Sequence, residues 1–252
     1  MTLFDLSILV IIFLLTSLVG VITGSNSLIA VPAMFQLGIE PKTAVATNMF
    51  GLVFMAAGGA IPFLRQRRLD VAKTTPLIVL TTIGSALGAM IVGFITGEAL
   101  KVIVTVAMFS IVLFTLLRPR QKQAEHLTLS RASRVIAYLL VFVLAIYGGL
   151  YSGGYVTVLT ATLVAFLGLS YSESIAATKL VNVFSSLVAT LVFMWQGLVD
   201  YRLGLLIGAT MFVGAYIGAH YATKLNELWL KRIFLSAVVL LAVKMAYDLL
   251  RA

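Results

Sequence analysis

Cysteine is absent from all 252 residues. That excludes disulfides, thiolate nucleophiles, iron–sulfur clusters and cysteine-ligated zinc, and it leaves the redox compartment open. Charge is nearly as scarce: 11% of the residues are Asp, Glu, Lys or Arg while 61% are hydrophobic, a balance foreign to an ordinary soluble domain. Only two histidines occur, His126 and His220, and no His/Asp/Glu group has metal-ligand spacing. A Ser–His–Asp set and a Walker-type loop are both missing. Neither hydrolysis nor self-contained nucleotide-driven pumping has residues to run on, so the chain reads as a non-enzyme with no cofactor; an ATPase partner stays open.

What is present is apolar sequence in long runs. Residues 6–39 and 135–172 carry no charged side chain, and 43–64, 74–97, 180–199 and 203–223 are likewise free of Asp, Glu, Lys and Arg. Residues 102–117 form a shorter run behind Lys101, whose long side chain can reach the interface. These lengths predict an all-α polytopic protein of the lipid bilayer; the alternating segments of about ten residues that mark a β-barrel do not occur. Residues 1–41 hold no Lys or Arg, so the first run lacks the basic start of a cleavable signal and is expected to be a span. Trp195, Tyr201, Trp229 and Tyr247 read as interfacial anchors.

The net charge of +9 raises nucleic acid as a partner, but no basic face interleaved with aromatics exists. The basic residues lie instead in short connections, as topology signals do. Arg65, Arg67, Arg68 and Lys73 mark one loop as cytoplasmic, and Arg118, Arg120, Lys122, Arg131 and Arg134 mark the central connection. Lys224, Lys231 and Arg232 come out on the same side, which gathers twelve of the 18 basic residues there and points both termini outward.

Each of the two long uncharged runs is interrupted near its middle, by Thr23-Gly24-Ser25-Asn26-Ser27 and by Ser152-Gly153-Gly154. As one helix, the 34 residues of 6–39 would be roughly 50 Å long, against a hydrocarbon core of about 30 Å, yet they are too few for two full spans. A shift of 130 residues pairs Gly24 with Gly154, Gly38 with Gly168, Asp70 with Asp200, and Gly84-x-x-x-Gly88 with Gly214-x-x-x-Gly218. A one-residue offset then sets Asn48 against Lys179. This register divides the chain into a first transmembrane repeat (1–117), a cytoplasmic connecting loop (118–133) and a second transmembrane repeat (134–252), each repeat with five hydrophobic segments. Five is odd, so equivalent segments are expected to face opposite ways. The charges agree: the loop at 65–73 is basic, whereas its counterpart at 195–203 has one Arg. The segments beside the breaks read equally as short spans or re-entrant hairpins. The two Gly-x-x-x-Gly pairs read as places where helices approach closely.

Paired, glycine-interrupted short segments in two halves point to a transporter's substrate site. Lys179, Asn182 and Ser186 follow at i, i+3 and i+7, one polar stripe on a helix, and a lysine within a span needs a partner or a purpose. An inward ammonium suits an anionic substrate; snorkelling to the surface is the alternative. Asn48, its repeat counterpart, is a candidate for the same site or for an interhelical hydrogen bond. At the breaks, helix N-termini offer free N–H groups and a partial positive charge, with Ser25, Asn26, Ser27 and Ser152 as added donors and Gly153 and Gly154 permitting close approach; a pair of empty kinks is the alternative. For a coupling proton or ion, Glu173 is a candidate, although its place at a helix start favours capping. His126 and His220 read as structural.

These motifs resemble a known family. Val31-Pro32, Leu37-Gly38-x-x-Pro41 and Ala44-Val45-Ala46-Thr47-Asn48 follow the first break; Gly148-Gly149-Leu150-Tyr151-Ser152-Gly153-Gly154 forms the second, followed by Ala177-Thr178-Lys179-x-x-Asn182 and Gly197-x-x-Asp200. Over essentially the whole chain the pattern is similar to the TauE/SafE sulfite exporter family. The resemblance implies a bacterial or archaeal inner-membrane permease that exports sulfite, sulfoacetate or related anions, with Thr178, Lys179 and Asn182 in the second-half motif and Thr47 and Asn48 in its partner. Family members often carry a glycine run where this chain has Gly24-Ser25-Asn26-Ser27, a departure that bears on which anion is carried. The expectation is therefore a secondary-active transporter of small sulfur-containing anions. A channel for anions or small solutes, and a non-transporting membrane subunit, are the competing readings.

Overall fold

In lipid every backbone N–H and C=O must be satisfied within the protein, so uncharged runs of this length have helices as their open solution. The computed structural model describes residues 2–24, 26–64, 71–117, 130–221 and 227–251, and these form ten helices with no strand among the described residues. They are α1 (Leu3–Thr23), α2 (Ser27–Gln36), α3 (Pro41–Leu64), α4 (Val71–Phe94), α5 (Gly97–Leu117), α6 (Arg131–Leu150), α7 (Tyr155–Leu167), α8 (Tyr171–Trp195), α9 (Tyr201–Tyr221) and α10 (Glu227–Arg251). The starts of α8, α9 and α10 each fall 130 residues after those of α3, α4 and α5. Local chemistry places the ends. Thr2 and Asp5 form a capping box on α1, and Ser170 and Glu173 form one on α8. Glu173 accepts from both Ser170 N (2.8 Å) and Ser170 Oγ (2.7 Å). The basic loop at 65–70 and most of the connection at 118–129 lie outside the described residues.

Six stretches among the described residues are long and apolar enough to cross a membrane: Leu3–Val21, Thr74–Phe94, Gly97–Leu117, Arg131–Leu150, Glu173–Trp195 and Tyr201–Tyr221. The short α2 and α7 are about 15 and 20 Å long, less than the hydrocarbon core. The outer surface is apolar, with Ile11, Leu15, Leu113, Leu139 and Leu240 exposed, whereas Ser17, Thr47, Asn48, Ser85, Thr178 and Ser186 are buried. Apolar surface outside and polar groups within is the arrangement lipid imposes. This is a multi-pass membrane protein.

Glycine decides the packing. A Cβ on Gly88 would overlap the Ile146 carbonyl oxygen, and one on Gly84 would lie 2.7 Å from Ala145 Cβ, so α4 sits directly against α6. In the other half Gly214 faces the Leu14 carbonyl and Gly218 the Leu18 carbonyl, which seats α9 on α1 in the same manner. Both pairs ascend together, so α4 runs parallel to α6 and α9 parallel to α1. Gly51 on Met211, Gly58 on the Phe212 main chain, and Gly204 and Gly208 on Phe50 and Phe54 make α3 parallel to α9. Ser85 with Ser185, and Gln196 with the Ala89 and Met90 carbonyls, make α4 parallel to α8.

The two central helices, α3 and α8, oppose one another. Thr47, early in α3, accepts a hydrogen bond from Asp200 N, beyond the end of α8. Late in α3, Gly59 lies against Val21, whose carbonyl is reached by Lys179 from the start of α8. Around this pair the main core gathers Phe13, Met34, Met49, Met108, Tyr151 and Met211, and a smaller cluster packs Tyr155, Leu159 and Leu163 against Val181.

Candidate functional site

Both interruptions are true breaks. α1 stops at Gly24, whose φ of 73° is the left-handed conformation that ends helices and that glycine adopts without strain. The chain then doubles back: Gly20 has no side chain to obstruct Asn26, and Asn26 Nδ2 donates to Ser17 Oγ at 2.9 Å. α6 ends at Tyr151 in extended backbone, and Gly154, with φ 78°, opens α7.

The breaks meet. Ser27 Oγ and Ser152 Oγ lie 2.6 Å apart, although 125 residues separate them in sequence. Asn48 Nδ2 donates to Ser27 Oγ at 2.9 Å, and Tyr151 Oη donates to the Ser27 carbonyl at 2.9 Å. Gly24 faces Val156 and the Thr157 N–H, on the first turn of α7. Ser27, Asn48, Ser152 and Tyr151 are all buried, so the crossing is packed shut and held by hydroxyl, amide and carbonyl groups.

Lys179 lies beside this crossing. Its Nζ donates to the Val21 carbonyl at 2.8 Å. That carbonyl belongs to the last turn of α1, where C=O groups lack intrahelical partners and the helix end is partially negative. The ammonium is thus seated at the C-terminal end of the first broken helix, where α2 turns away. Thr178, its neighbour, touches Thr160 Oγ1 on α7 at 3.2 Å and ties α8 to the second broken segment. Asn182 follows one turn after Lys179, half-buried and outside this hydrogen-bonded set. Gly153 enters through its carbonyl, which accepts from Tyr147 Oη.

Two expected members stand differently. Thr47 lies at the α8–α9 junction through its bond to Asp200 N, not at the breaks. Ser25 lies outside the described residues. The amides of Asn26 and Asn48 have spent their nitrogens on serine hydroxyls, and their Oδ1 atoms are buried without a partner among the described residues. Sequence reasoning missed the part played by Tyr147 and Tyr151, whose rings pack edge to face 6.2 Å apart and whose hydroxyls bind the carbonyls of the two breaks. The available signal was their i, i+4 spacing just ahead of the second break. No group of three His, Asp or Glu side chains able to hold a metal occurs among the described residues. A separate open pocket of about 160 Å³ lies between the end of α2, the start of α5 and the end of α10, beside the Glu98–Lys101 ion pair and the Gln36–Asp248 hydrogen bond.

The family model described as Sulfite exporter TauE/SafE matches residues 9–245, which takes in both breaks and Lys179. The chain belongs to the TauE/SafE family. Curated relatives cover nearly the same span of this TauE/SafE chain. A Sinorhizobium protein named "Probable membrane transporter protein ORF9" is 26% identical over 90% of this chain and 87% of its own length. A Haemophilus influenzae "Probable membrane transporter protein" is 25% identical over 96% of this chain and 95% of its own. The Escherichia coli K12 "Probable membrane transporter protein YfcA" is 22% identical over 96% of this chain and 90% of its own. No solved structure matches the chain. TauE/SafE proteins are membrane transporters.

Proposed function

We propose that this protein is a secondary-active transporter that moves small sulfur-containing oxyanions, such as sulfite or an organosulfonate, out of a bacterial cell across the inner membrane. The reading rests on the 2.6 Å contact between Ser27 and Ser152, which joins the two breaks at one buried polar point with Lys179 alongside. The oxyanion would enter by separating the two serines. It would meet the N-terminal amides of α2 and α7, where N–H groups lack intrahelical partners, and take charge from Lys179. A half-turn of the Asn48 amide lets Ser27 donate to Oδ1 and turns the NH₂ toward the ligand, so the same contact serves the closed and the loaded site.

The transporting units in this reading are two inverted repeats, residues 1–117 and 134–252, joined by a cytoplasmic connection, with both termini outside. The opposed α3 and α8, and the equivalent glycine seams α4–α6 and α9–α1, support that arrangement. Rocking of one repeat against the other then alternates access, driven by a coupled proton or ion. The family's name and the relatives' printed names support transport, and the sulfur anion is inferred from the family name and the cationic site. The decisive experiment is flux of sulfite and sulfoacetate into proteoliposomes, with chloride as control. Wild-type protein should give saturable flux and the Lys179→Ala variant almost none; equal flux from both would sink the site.

A further inference from the structure

Helical threonines in this protein have a habit. Thr16, Thr81, Thr105, Thr160 and Thr162 each turn the hydroxyl back onto the carbonyl four residues earlier, at 2.7–3.0 Å. Thr190 does not. Its side chain is 4% exposed, and its Oγ1 is buried with no hydrogen-bond partner among the described residues. A buried hydroxyl without a partner is costly, and one that forgoes the carbonyl within its reach calls for an explanation.

Its position supplies one. Lys179, Asn182, Ser186 and Thr190 follow at i, i+3, i+7 and i+11 on α8. Eleven residues bring Thr190 to within about 20° of the Lys179 direction and roughly 16 Å further along the axis. All four side chains are wholly or partly buried, so this line faces protein and not lipid. The equivalent line on α3, in the register that pairs Asn48 with Lys179, reads Asn48, Gly51, Met55 and Gly59. Gly51 is filled by Met211 and Gly59 by Val21, so beyond Asn48 that line serves packing. Hydroxyls on one central helix stand where the other has glycine and methionine.

We propose that the stripe from Lys179 to Thr190 is one wall of the substrate path, and that Thr190 is an anion-binding residue at its end, giving its hydroxyl to an oxyanion that leaves Lys179. The inference rests on the transporter reading above and extends it to a residue neither the motif nor the breaks single out. It carries a sign that a structural role would reverse. Replacing a partnered hydroxyl by an isosteric methyl lowers stability, whereas replacing an orphaned one leaves stability unchanged or raises it.

The test compares wild type, Thr190→Val and Thr190→Ser in proteoliposomes, reading sulfite and sulfoacetate flux against concentration together with the thermal midpoint. Loss of a hydrogen bond to a charged ligand predicts a rise in half-saturation of roughly tenfold or more for Thr190→Val. Its midpoint should be equal or higher, and Thr190→Ser should transport like wild type. A lowered midpoint with unchanged half-saturation would make Thr190 a structural residue and overturn the proposal. Active wild type with kinetically silent Thr190→Val ends this inference alone; inactive wild type ends the transporter reading with it.

Discussion

Ser27 is shared by three groups. It takes the Asn48 amide, touches the Ser152 hydroxyl, and offers its carbonyl to Tyr151, in a place where water does not reach. Removing its hydroxyl leaves the Asn48 nitrogen buried without an acceptor, a loss of about 1–3 kcal/mol. Ser27→Ala should therefore melt several degrees below wild type in a thermal-shift assay in detergent; an unchanged midpoint would mean that water or a neighbour replaces the contact. Lys179 is held differently, with a main-chain carbonyl at a helix end. Lys179→Met keeps the length and loses the charge. It should fold, bind no sulfite in a thermal-shift titration, and show whether the ammonium serves the ligand or only the end of α1.

At the scale of elements, the breaks depend on glycines that hold the left-handed conformation. Gly24 has φ 73° and leaves no room: a Cβ there would come within 2.7 Å of Val156. Left-handed backbone costs an L-residue about 1–2 kcal/mol before any clash is counted. Gly24→Ala should accordingly lower both the thermal midpoint and transport, because the first turn of α7 must move. Gly38→Ala is the comparison: it has φ 78°, yet no atom within 4 Å of an added Cβ. It should show the backbone cost alone and transport at near the wild-type rate, and equal damage from both would show that the close approach of the two breaks is not the critical feature.

For the whole molecule, the proposed mechanism alternates access by parting the crossing, and the chain's lack of cysteine makes that measurable without background. A Ser27→Cys/Ser152→Cys double variant places two thiols where the hydroxyls are 2.6 Å apart. Oxidation should stop sulfoacetate flux and reduction should restore it; sulfoacetate is preferred because sulfite itself cleaves disulfides. Full flux through the cross-linked protein would show that the repeats do not separate there. Orientation is tested on the same background. In intact cells an impermeant thiol reagent should label Thr2→Cys and spare Glu125→Cys, and the reverse pattern would overturn the assignment made from the basic loops.

Much of this was legible in the sequence because it is local. Span length, the uncharged runs, the glycine and serine interruptions and the helix-start place of Glu173 each depend on a few neighbouring residues and on lipid as solvent. The 130-residue register also needs no coordinates, and the starts of α8, α9 and α10 fall on it. Contacts between distant segments are set by packing, and there the tertiary structure alone decides. It joins Ser27 to Ser152, moves Thr47 away from the breaks to Asp200, seats Lys179 on the Val21 carbonyl, and leaves the Thr190 hydroxyl without a partner among the described residues. A composition pattern records which groups lipid forces inward; which of them find each other depends on the directions of many helices at once.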